Sequence, residues 1–553
     1  MKKIFTLVAS VLCAMNMMAK DYTGSMLVTV NGVDAPILEN KSISVEKQDN
    51  GKYHLSVKNF MFGAMNVGTI NLTDIEPDKY STPQLTALEY DGPITITKNE
   101  DGSGLFAGQQ MKMELGVILN DKLMSTVMSI NAGALGNVDV EFKSYGSQIP
   151  NSDMEAFHTA KAIIEKEDGS EEVTTQEPNH WHSFTTATGM LANVVHLNKQ
   201  IDESTDVRPD SEGKKSAKVT SAITIFGIAA NGTMTTGQLQ AAGFTADSPY
   251  NCAFLDMSNE EKDDNGDPFY TTIAARPDAI KAWVKFIPGG EKADYEIKKT
   301  SDDGMNIIAT GEYSLNASVK AVITDGTRYQ DPEDPTAEYK NVVGMAKQEI
   351  ETKGGEWQEI TVPFDYATYA ANNAETKAIL VNFGTNATPG CASNNPEQPD
   401  QLYVDDVELV YNNDLTSLKY KGNDVAITAD QDYDGVGTIN DNSETSLDDF
   451  VVETNGAGAY VVKTWEYDEE WEQWELHINV ISGDLSDGKE YCITNLSGQG
   501  FIPTSIKNLE SITLPAGVQA IYNLAGQQVT NMQKGQVYVV KYTNGQTKKM
   551  IKK

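Results

Sequence analysis

The sequence predicts an all-β, multi-domain protein, and three observations carry that prediction. First, hydrophobicity alternates with period two. Tyr53, Leu55 and Val57 fall on one side of an extended chain while His54, Ser56 and Lys58 fall on the other, the pattern of a half-buried strand. Second, turn signals punctuate the chain at hairpin spacing: Asn31-Gly32, Asp49-Asn50-Gly51, Asp91-Gly92, Asn99-Glu100-Asp101-Gly102, Asn120-Asp121 and Gly133. Third, 553 residues exceed what one hydrophobic core organises, and about 150 residues per domain gives three to four domains.

Taken in order, residues 1–19 read as a signal peptide. Lys2 and Lys3 form a basic start, Ile4 to Cys13 is mostly apolar, and Ala19 suits cleavage. The run is too short to span a bilayer. Leu12 is not the small residue that lipid attachment at Cys13 would need. No later stretch is long and apolar enough to cross a membrane, and Ala222 to Ala230 reads as a buried strand. The expected location is outside the inner membrane: extracellular or on the outer-membrane surface, with the periplasm as the alternative.

Residues 20–145 hold short strands near 24–31, 42–47, 52–59, 66–75, 92–98, 108–118, 122–131 and 137–143. Eight such strands with short connections suit an up-and-down barrel, because closure removes exposed edges. Asp21-Tyr22-Thr23-Gly24, Leu55-Ser56-Val57-Lys58-Asn59-Phe60 and Val138-Asp139-Val140-Glu141-Phe142 resemble the calycin-like, lipocalin-resembling barrels of Bacteroidetes. That resemblance implies an eight-stranded barrel which either carries a small apolar ligand or is filled by its own side chains. The small size favours a filled interior.

Residues 146–176 are polar and acid-rich and read as a linker. From 177 to 412 strands resume. Trp181-His182-Ser183-Phe184, Ala275-Arg276-Pro277, Trp283-Val284-Lys285-Phe286-Ile287-Pro288, Trp357 to Pro363 and Gln401 to Leu409 resemble, in that order, the PCMD-type carbohydrate-metabolism domain of the same phylum. The resemblance implies a jelly-roll sandwich of the kind used by carbohydrate-binding modules. Residues 413–505 read as an immunoglobulin-like β-sandwich. Residues 511–553 read as a small β-domain. There, Ile521 to Val529, Lys534 to Val540 and Thr543 to Lys549 resemble the C-terminal sorting domain of type IX secretion, with Gln536 as a departure from its pattern. Its implied partner is the type IX machinery.

With 43 basic against 79 acidic side chains the net charge is −36, which disfavours nucleic acid and anionic lipid as partners. The end is locally basic through Lys534, Lys541, Lys548, Lys549, Lys552 and Lys553. Once Cys13 leaves with the signal, Cys252, Cys391 and Cys492 remain. So sparse a set suits buried free thiols better than a disulfide framework, a Cys252–Cys391 bridge being the alternative.

Three constellations bear on function. Val461 to Tyr467 and Trp471 to Ile481 alternate around Asp468-Glu469-Glu470 and predict a hairpin. Placing Trp474, Leu476, Ile478 and Val480 inward leaves Trp465, Tyr467, Trp471, Gln473, Glu475 and His477 as an outward platform of rings, acids and amides. Such a surface suits a sugar, whose apolar face stacks on rings while its hydroxyls find polar partners; plain cross-strand pairing is the structural alternative. Asp430, Asp432, Asp434 and Asp441 occupy positions 1, 3, 5 and 12 of a calcium-type loop with Gly435 at position 6, which would give a structural Ca²⁺. A weaker version is Asp263, Asn265 and Asp267, and the jelly-roll resemblance implies a structural calcium near Asp405 and Asp406. Finally, His180 and His182 flank Trp181 and could share a metal, though the polar edge of a strand is the commoner setting.

No catalytic residues are assigned. Nucleophile-elbow, zinc-protease, P-loop and dinucleotide signatures are all missing. A glycoside hydrolase needs two carboxylates at a set separation, and 79 acids meet that requirement too easily to discriminate. The sequence therefore predicts an exported, non-catalytic binding protein with polysaccharide or glycan as partner. A lipocalin-like carrier and a structural or adhesive surface protein are the alternatives, and a hydrolase comes last.

Overall fold

The computed structural model describes residues 19–62, 65–133, 136–166, 169–290, 298–300, 307–309, 314–441, 443–497, 500–504, 518–522, 537–542 and 547–551. The signal segment, Cys13 included, lies outside them, as does most of the sorting-like tail. Two units emerge. One comprises Met1–Asn412 with Gly456–Ala459 and Ser482–Asp487; the other comprises Asn413–Asn455, Tyr460–Ile481 and Gly488–Lys553.

The first unit begins with β1 (Lys20–Val30), β2 (Leu38–Lys47), β3 (Tyr53–Phe62), β4 (Met65–Ile75), β5 (Thr86–Thr95), β6 (Gln110–Leu119), β7 (Met124–Asn131) and β8 (Asn137–Ser144). They pair antiparallel in the order β4-β3-β2-β1-β8-β7-β6-β5. The ends of this row approach each other through single bridges, Thr69 to Thr97 and Pro77 to Leu88, so the barrel is nearly closed. Alternation does the sorting. On β8, Val138, Val140 and Phe142 are buried while Asn137, Asp139, Glu141 and Lys143 are exposed. Gly24 is needed where β1 crosses β8, since a Cβ there would stand 2.0 Å from the Lys143 carbonyl oxygen. Inside, Met26, Val28, Ile43, Leu55, Phe60, Ile70, Met113, Met128 and Phe142 belong to one continuous apolar cluster. Each such side chain contributes about 1.5–3 kcal/mol of burial. The interior is thus occupied by the chain's own residues, as expected from its size.

The stretch read as a linker is instead a long hairpin, Phe157–Lys166 against Gly169–Pro178. Its inner side carries Ala160, Ala162, Ile164 and Val173, a short apolar row masked in the sequence by the acids opposite it.

Next comes a two-layer antiparallel sandwich. Its strands are β9 (Ile201–Ser204), β10 (Ser216–Thr220), β11 (Thr233–Thr235), β12 (Ala279–Ile287), β13 (Ala317–Thr324), β14 (Val342–Ile350), β15 (Gln358–Pro363), β16 (Ala378–Gly384) and β17 (Gln401–Val410). One sheet runs β9-β10-β17-β12-β15 and the other β11-β16-β13-β14. Val219, Val284, Phe286 and Val404 from the first meet Val319, Ala321, Val381 and Phe383 from the second in one core. Outside the second sheet lies a small sheet of Gln238–Ala241, Asn251–Leu255 and Tyr329–Asp331.

In the second unit, β18 (Gly435–Ile439), β19 (Tyr460–Asp468), β20 (Gln473–Ile481) and β21 (Gly488–Asn495) form a sheet in the order β18-β21-β20-β19. The β18–β21 pair is parallel. A smaller sheet is built on Leu415–Tyr420 and Phe450–Thr454. The described parts of the tail, Val518–Tyr522, Val537–Tyr542 and Thr547–Ile551, form a three-stranded antiparallel sheet. Cys252, Cys391 and Cys492 are buried thiols. Among the described residues no helix is long and apolar enough to cross a membrane.

Candidate functional site: a pocket on the sandwich

On β13 the side chains alternate between the sandwich core and the outer face of its sheet. Val319 and Ala321 point inward, leaving Ser318 and Lys320 outside. Register places Ser318 beside Gly384 and Lys320 beside Asn382; on the other flank Thr233 meets Gly384 and Thr235 meets Asn382. These rows form the floor of a cavity of about 260 Å³. Its apolar walls come from the small outer sheet (Leu239, Ala241, Cys252, Ala253) and from the helical turn Leu191 to Val195. Phe226 and Phe244 stand at its mouth, 63% and 69% exposed.

The polar groups of the pocket are few and ordered. Lys320 Nζ lies 2.6 Å from Asp331 Oδ1. Asn382 Nδ2 donates to Asp331 Oδ2 at 2.7 Å, and Thr235 Oγ1 donates to Asn382 Oδ1 at 2.5 Å. Two groups remain unanswered. Asn198 and Gln200 line the cavity, and their buried Nδ2 and Oε1 have no hydrogen-bond partner among the described residues. Gln200 is held by its other end, where Nε2 donates to the Asn231 carbonyl at 3.0 Å. One donor and one acceptor are thus buried unanswered among the described residues, a costly arrangement unless a ligand or ordered water meets them. Asp331 is the single carboxylate among the described lining residues, and Lys320 and Asn382 already hold it.

A second, more open cleft of about 570 Å³ lies on the outer face of the other sheet, lined in part by Asp153, Arg208, Trp283, Glu359, Asp406 and Glu408. Here the sequence-predicted Asp405 and Asp406 come apart. Asp406 forms an ion pair with Arg208, whose guanidinium lies 5.5 Å from the Trp283 ring centre. Asp405 is buried, its Oδ1 accepting the Asp406 N–H at 2.9 Å. Burial first, and then the Asp406 charge, push the Asp405 carboxyl up to about 7. Lys281 pairs with Glu408 at 2.5 Å.

The calcium-type loop does not close. Gly435–Ile439 is the extended strand β18, so chain direction carries Asp441 away from Asp430, Asp432 and Asp434 instead of curling it back. Asp441 accepts from Ser443 N–H, Tyr420 Oη and Lys421 Nζ, contacts that hold its carboxyl well below the usual range. Asp434 accepts the Glu490 N–H at 2.9 Å. Asp263 and Asp267 likewise serve a turn, where the Asp263 carboxylate accepts the Asn265 and Asp267 N–H groups. His180 and His182 do not converge. His180 has φ +67°, which breaks the strand alternation. Its Nε2 faces Asp267 at 3.4 Å, whereas His182 Nε2 faces Asp263 at 3.3 Å.

The aromatic hairpin forms, but its faces are not those expected. Register pairs Trp465 with Leu476 and Tyr467 with Trp474, while Glu466 pairs with Glu475 and Thr464 with His477. Opposed residues share a face, so Trp465 and Tyr467 lie on the side of Leu476, and Glu475 and His477 lie on the other. Trp465 packs 5.2 Å from Phe501 and 6.1 Å from Phe450, and Tyr467 packs 5.3 Å from Trp474. Glu475 and His477 are buried, Gln473 donates to Glu475, and Trp471 is 71% exposed at the turn. The six residues therefore make no single platform. Both sides of this sheet are covered, and alternation alone cannot rank two covered sides.

Sequence reasoning missed the sandwich pocket because its residues come from strands more than a hundred positions apart. One signal was available. The apolar run from Ala222 to Ala230, read as a buried strand, is two short strands, Ala222–Ile223 and Ala229–Ala230, around an exposed Ile225-Phe226 tip. Gly227 at φ +74° inside that run marks the turn.

No curated protein matches the chain. Among solved structures, a "putative glycoside hydrolase" from Bacteroides thetaiotaomicron is 14% identical over 60% of this chain and 87% of that one, with a TM-score of 0.28. A "putative glycoside hydrolase" from Bacteroides vulgatus is 14% identical over 48% of this chain and 98% of that one, at 0.27. A "putative outer membrane protein" from Bacteroides fragilis is 10% identical over 66% and 96%, at 0.18. Likeness this distant says nothing of activity. One family profile does match: residues 18–149, the whole of the eight-stranded barrel, are similar to the calycin-like β-barrel domain.

Proposed function

We propose that this chain is an exported, non-catalytic glycan-binding protein whose ligand site is the sandwich pocket. The observation that carries this reading is a cavity with apolar walls whose lining includes Asn198 and Gln200, residues with a buried Nδ2 and Oε1 that no described group answers. A sugar offers hydroxyls that both donate and accept, together with an apolar ring face for Phe226 and Phe244. With one carboxylate in the lining, the pocket lacks the pair that glycoside hydrolysis uses. Export rests on the basic-then-apolar start of the sequence and on the sorting-like tail. The carrier alternative is disfavoured by the barrel interior, which its own methionine, leucine, isoleucine and phenylalanine side chains occupy.

The test is a glycan array on the full-length chain, followed by calorimetry with the best glycan on wild type, Asn198→Ala, Gln200→Ala and Phe244→Ala. We expect at least tenfold weaker binding for each polar variant and a smaller loss for Phe244→Ala. An array with no binder removes the glycan reading. Unchanged affinity in all three variants moves the site elsewhere. Polysaccharide turnover abolished by Asp406→Asn would make the chain a hydrolase acting from the open cleft.

A further inference from the structure

We infer that Glu475, His477 and Cys492 form a binding site for a zinc-class divalent cation, separate from the sandwich pocket. The chain builds the set by alternation and register. Glu475 and His477 are two apart on β20 and so share a face, and Cys492 on β21 stands directly opposite His477. Their ligand-capable atoms all lie within 4.8 Å of one another. Cys492 Sγ is 3.3 Å and His477 Nε2 is 3.8 Å from Glu475 Oε2. Donors around a tetrahedral zinc, with bonds of about 2.0–2.3 Å, stand about 3.3–3.5 Å apart. The two separations at Glu475 are close to those edges, and the Cys492–His477 separation falls within 4.8 Å, so side-chain adjustments would admit the ion.

A second observation points to a cation. His477 is nine-tenths buried, and its Nε2 lies 3.8 Å from Glu475 Oε2. Its other nitrogen, Nδ1, lies 2.7 Å from Glu490 Oε1. That is the outer carboxylate–histidine contact which fixes the tautomer of a metal-binding imidazole and leaves Nε2 as the donor atom. Among the described residues, Glu475 and Glu490 form no ion pair with a lysine or arginine, and both face His477. Glu475 is buried and accepts from Gln473 Nε2 at 2.8 Å, whereas Glu490 is partly exposed. Thiolate, imidazole and carboxylate together select zinc over calcium or magnesium, which prefer all-oxygen sets. Three protein donors leave one tetrahedral position for an exogenous ligand, and the edge of the Tyr433 ring, 5.6 Å from His477, lies over this face.

Binding displaces the Cys492 proton to solvent and forms a metal–thiolate bond, with no change of oxidation state. The test uses cobalt(II) as a spectroscopic stand-in on the full-length chain. Wild type should take up one equivalent, with the intense visible bands of a tetrahedral ion and a near-ultraviolet thiolate-to-cobalt band, and zinc should displace it. Cys492→Ser should abolish the thiolate band and weaken uptake at least a hundredfold. Glu490→Gln, outside the inner donors and gentle to the fold, should weaken it about tenfold. Wild-type protein that shows no thiolate-to-cobalt band overturns the proposal, and that measurement requires no variant to fold. Retention of the band in Cys492→Ser, with its loss in Cys252→Ser, overturns it equally.

Discussion

The barrel and the sandwich are both antiparallel and both have continuous apolar cores, yet they differ in their buried polar groups: the barrel pairs Thr69 with Asn99 and leaves His54 Nε2 unanswered, while the sandwich holds a larger polar set. Barrel closure gives each strand one inside and one outside, and the inside is filled with apolar side chains from Met26 to Phe142. The sandwich has a small sheet laid against the outer face of one layer, and between them it encloses Lys320, Asp331 and Asn382. It also leaves Asn198 and Gln200 unanswered and buries Asp405. A structure under selection for stability alone discards such groups, because each costs about 1–3 kcal/mol unless paired. The contrast supports the proposal that the ligand site lies in the sandwich and that the barrel serves as scaffold.

The largest expected effect tests the scaffold half of that contrast. Phe142 is fully buried on β8. Phe142→Ala should cost about 3–5 kcal/mol in chemical denaturation of the barrel, with glycan affinity changed less than twofold. A loss below 1 kcal/mol would mean that the interior is loosely filled, and would revive the carrier alternative.

A middle-sized effect tests whether the sandwich stores unfavourable charge. Asp405, raised to about 7 by burial and by Asp406, is protonated in the fold at a pH where the unfolded chain has it ionised. Its contribution to stability is therefore complete below about pH 4 and is lost as pH rises through about 7. Asp405→Asn should remove that slope and leave the protein on the order of 2 kcal/mol more stable than wild type at pH 8, with little difference at pH 4. Equal stabilities at pH 8 would show that Asp405 is solvated after all, and would blunt the contrast with the barrel.

How much of this was legible depended on how many sides of a strand are covered. In the barrel one side faces water, so Val138, Val140 and Phe142 identify themselves by alternation alone. In the second unit both faces of the β19–β20 hairpin are covered, and the same rule put Trp465 with His477 although they lie back to back. The calcium-type spacing at Asp430 to Asp441 is genuine as a string, but a loop closes only if the backbone turns, and β18 holds it extended. The pocket was illegible for a third reason. Asn198, Lys320, Asp331 and Asn382 are ordinary residues of ordinary strands until two sheets and a hairpin bring them together.

The smallest expected effect separates a functional polar group from a merely tolerated one. Asn198→Ala removes a buried amide whose Nδ2 has no partner. Lost packing of a small side chain and relief of an unpaired donor oppose each other, so stability should move by less than about 1 kcal/mol in either direction. Glycan affinity should nonetheless fall at least tenfold, because the bound sugar loses the donor that no protein group was using. If Asn198→Ala lowers stability by about 2 kcal/mol or more, Nδ2 is answered by structural water inside the fold. The contrast between sandwich and barrel would then rest on Gln200 and Asp405.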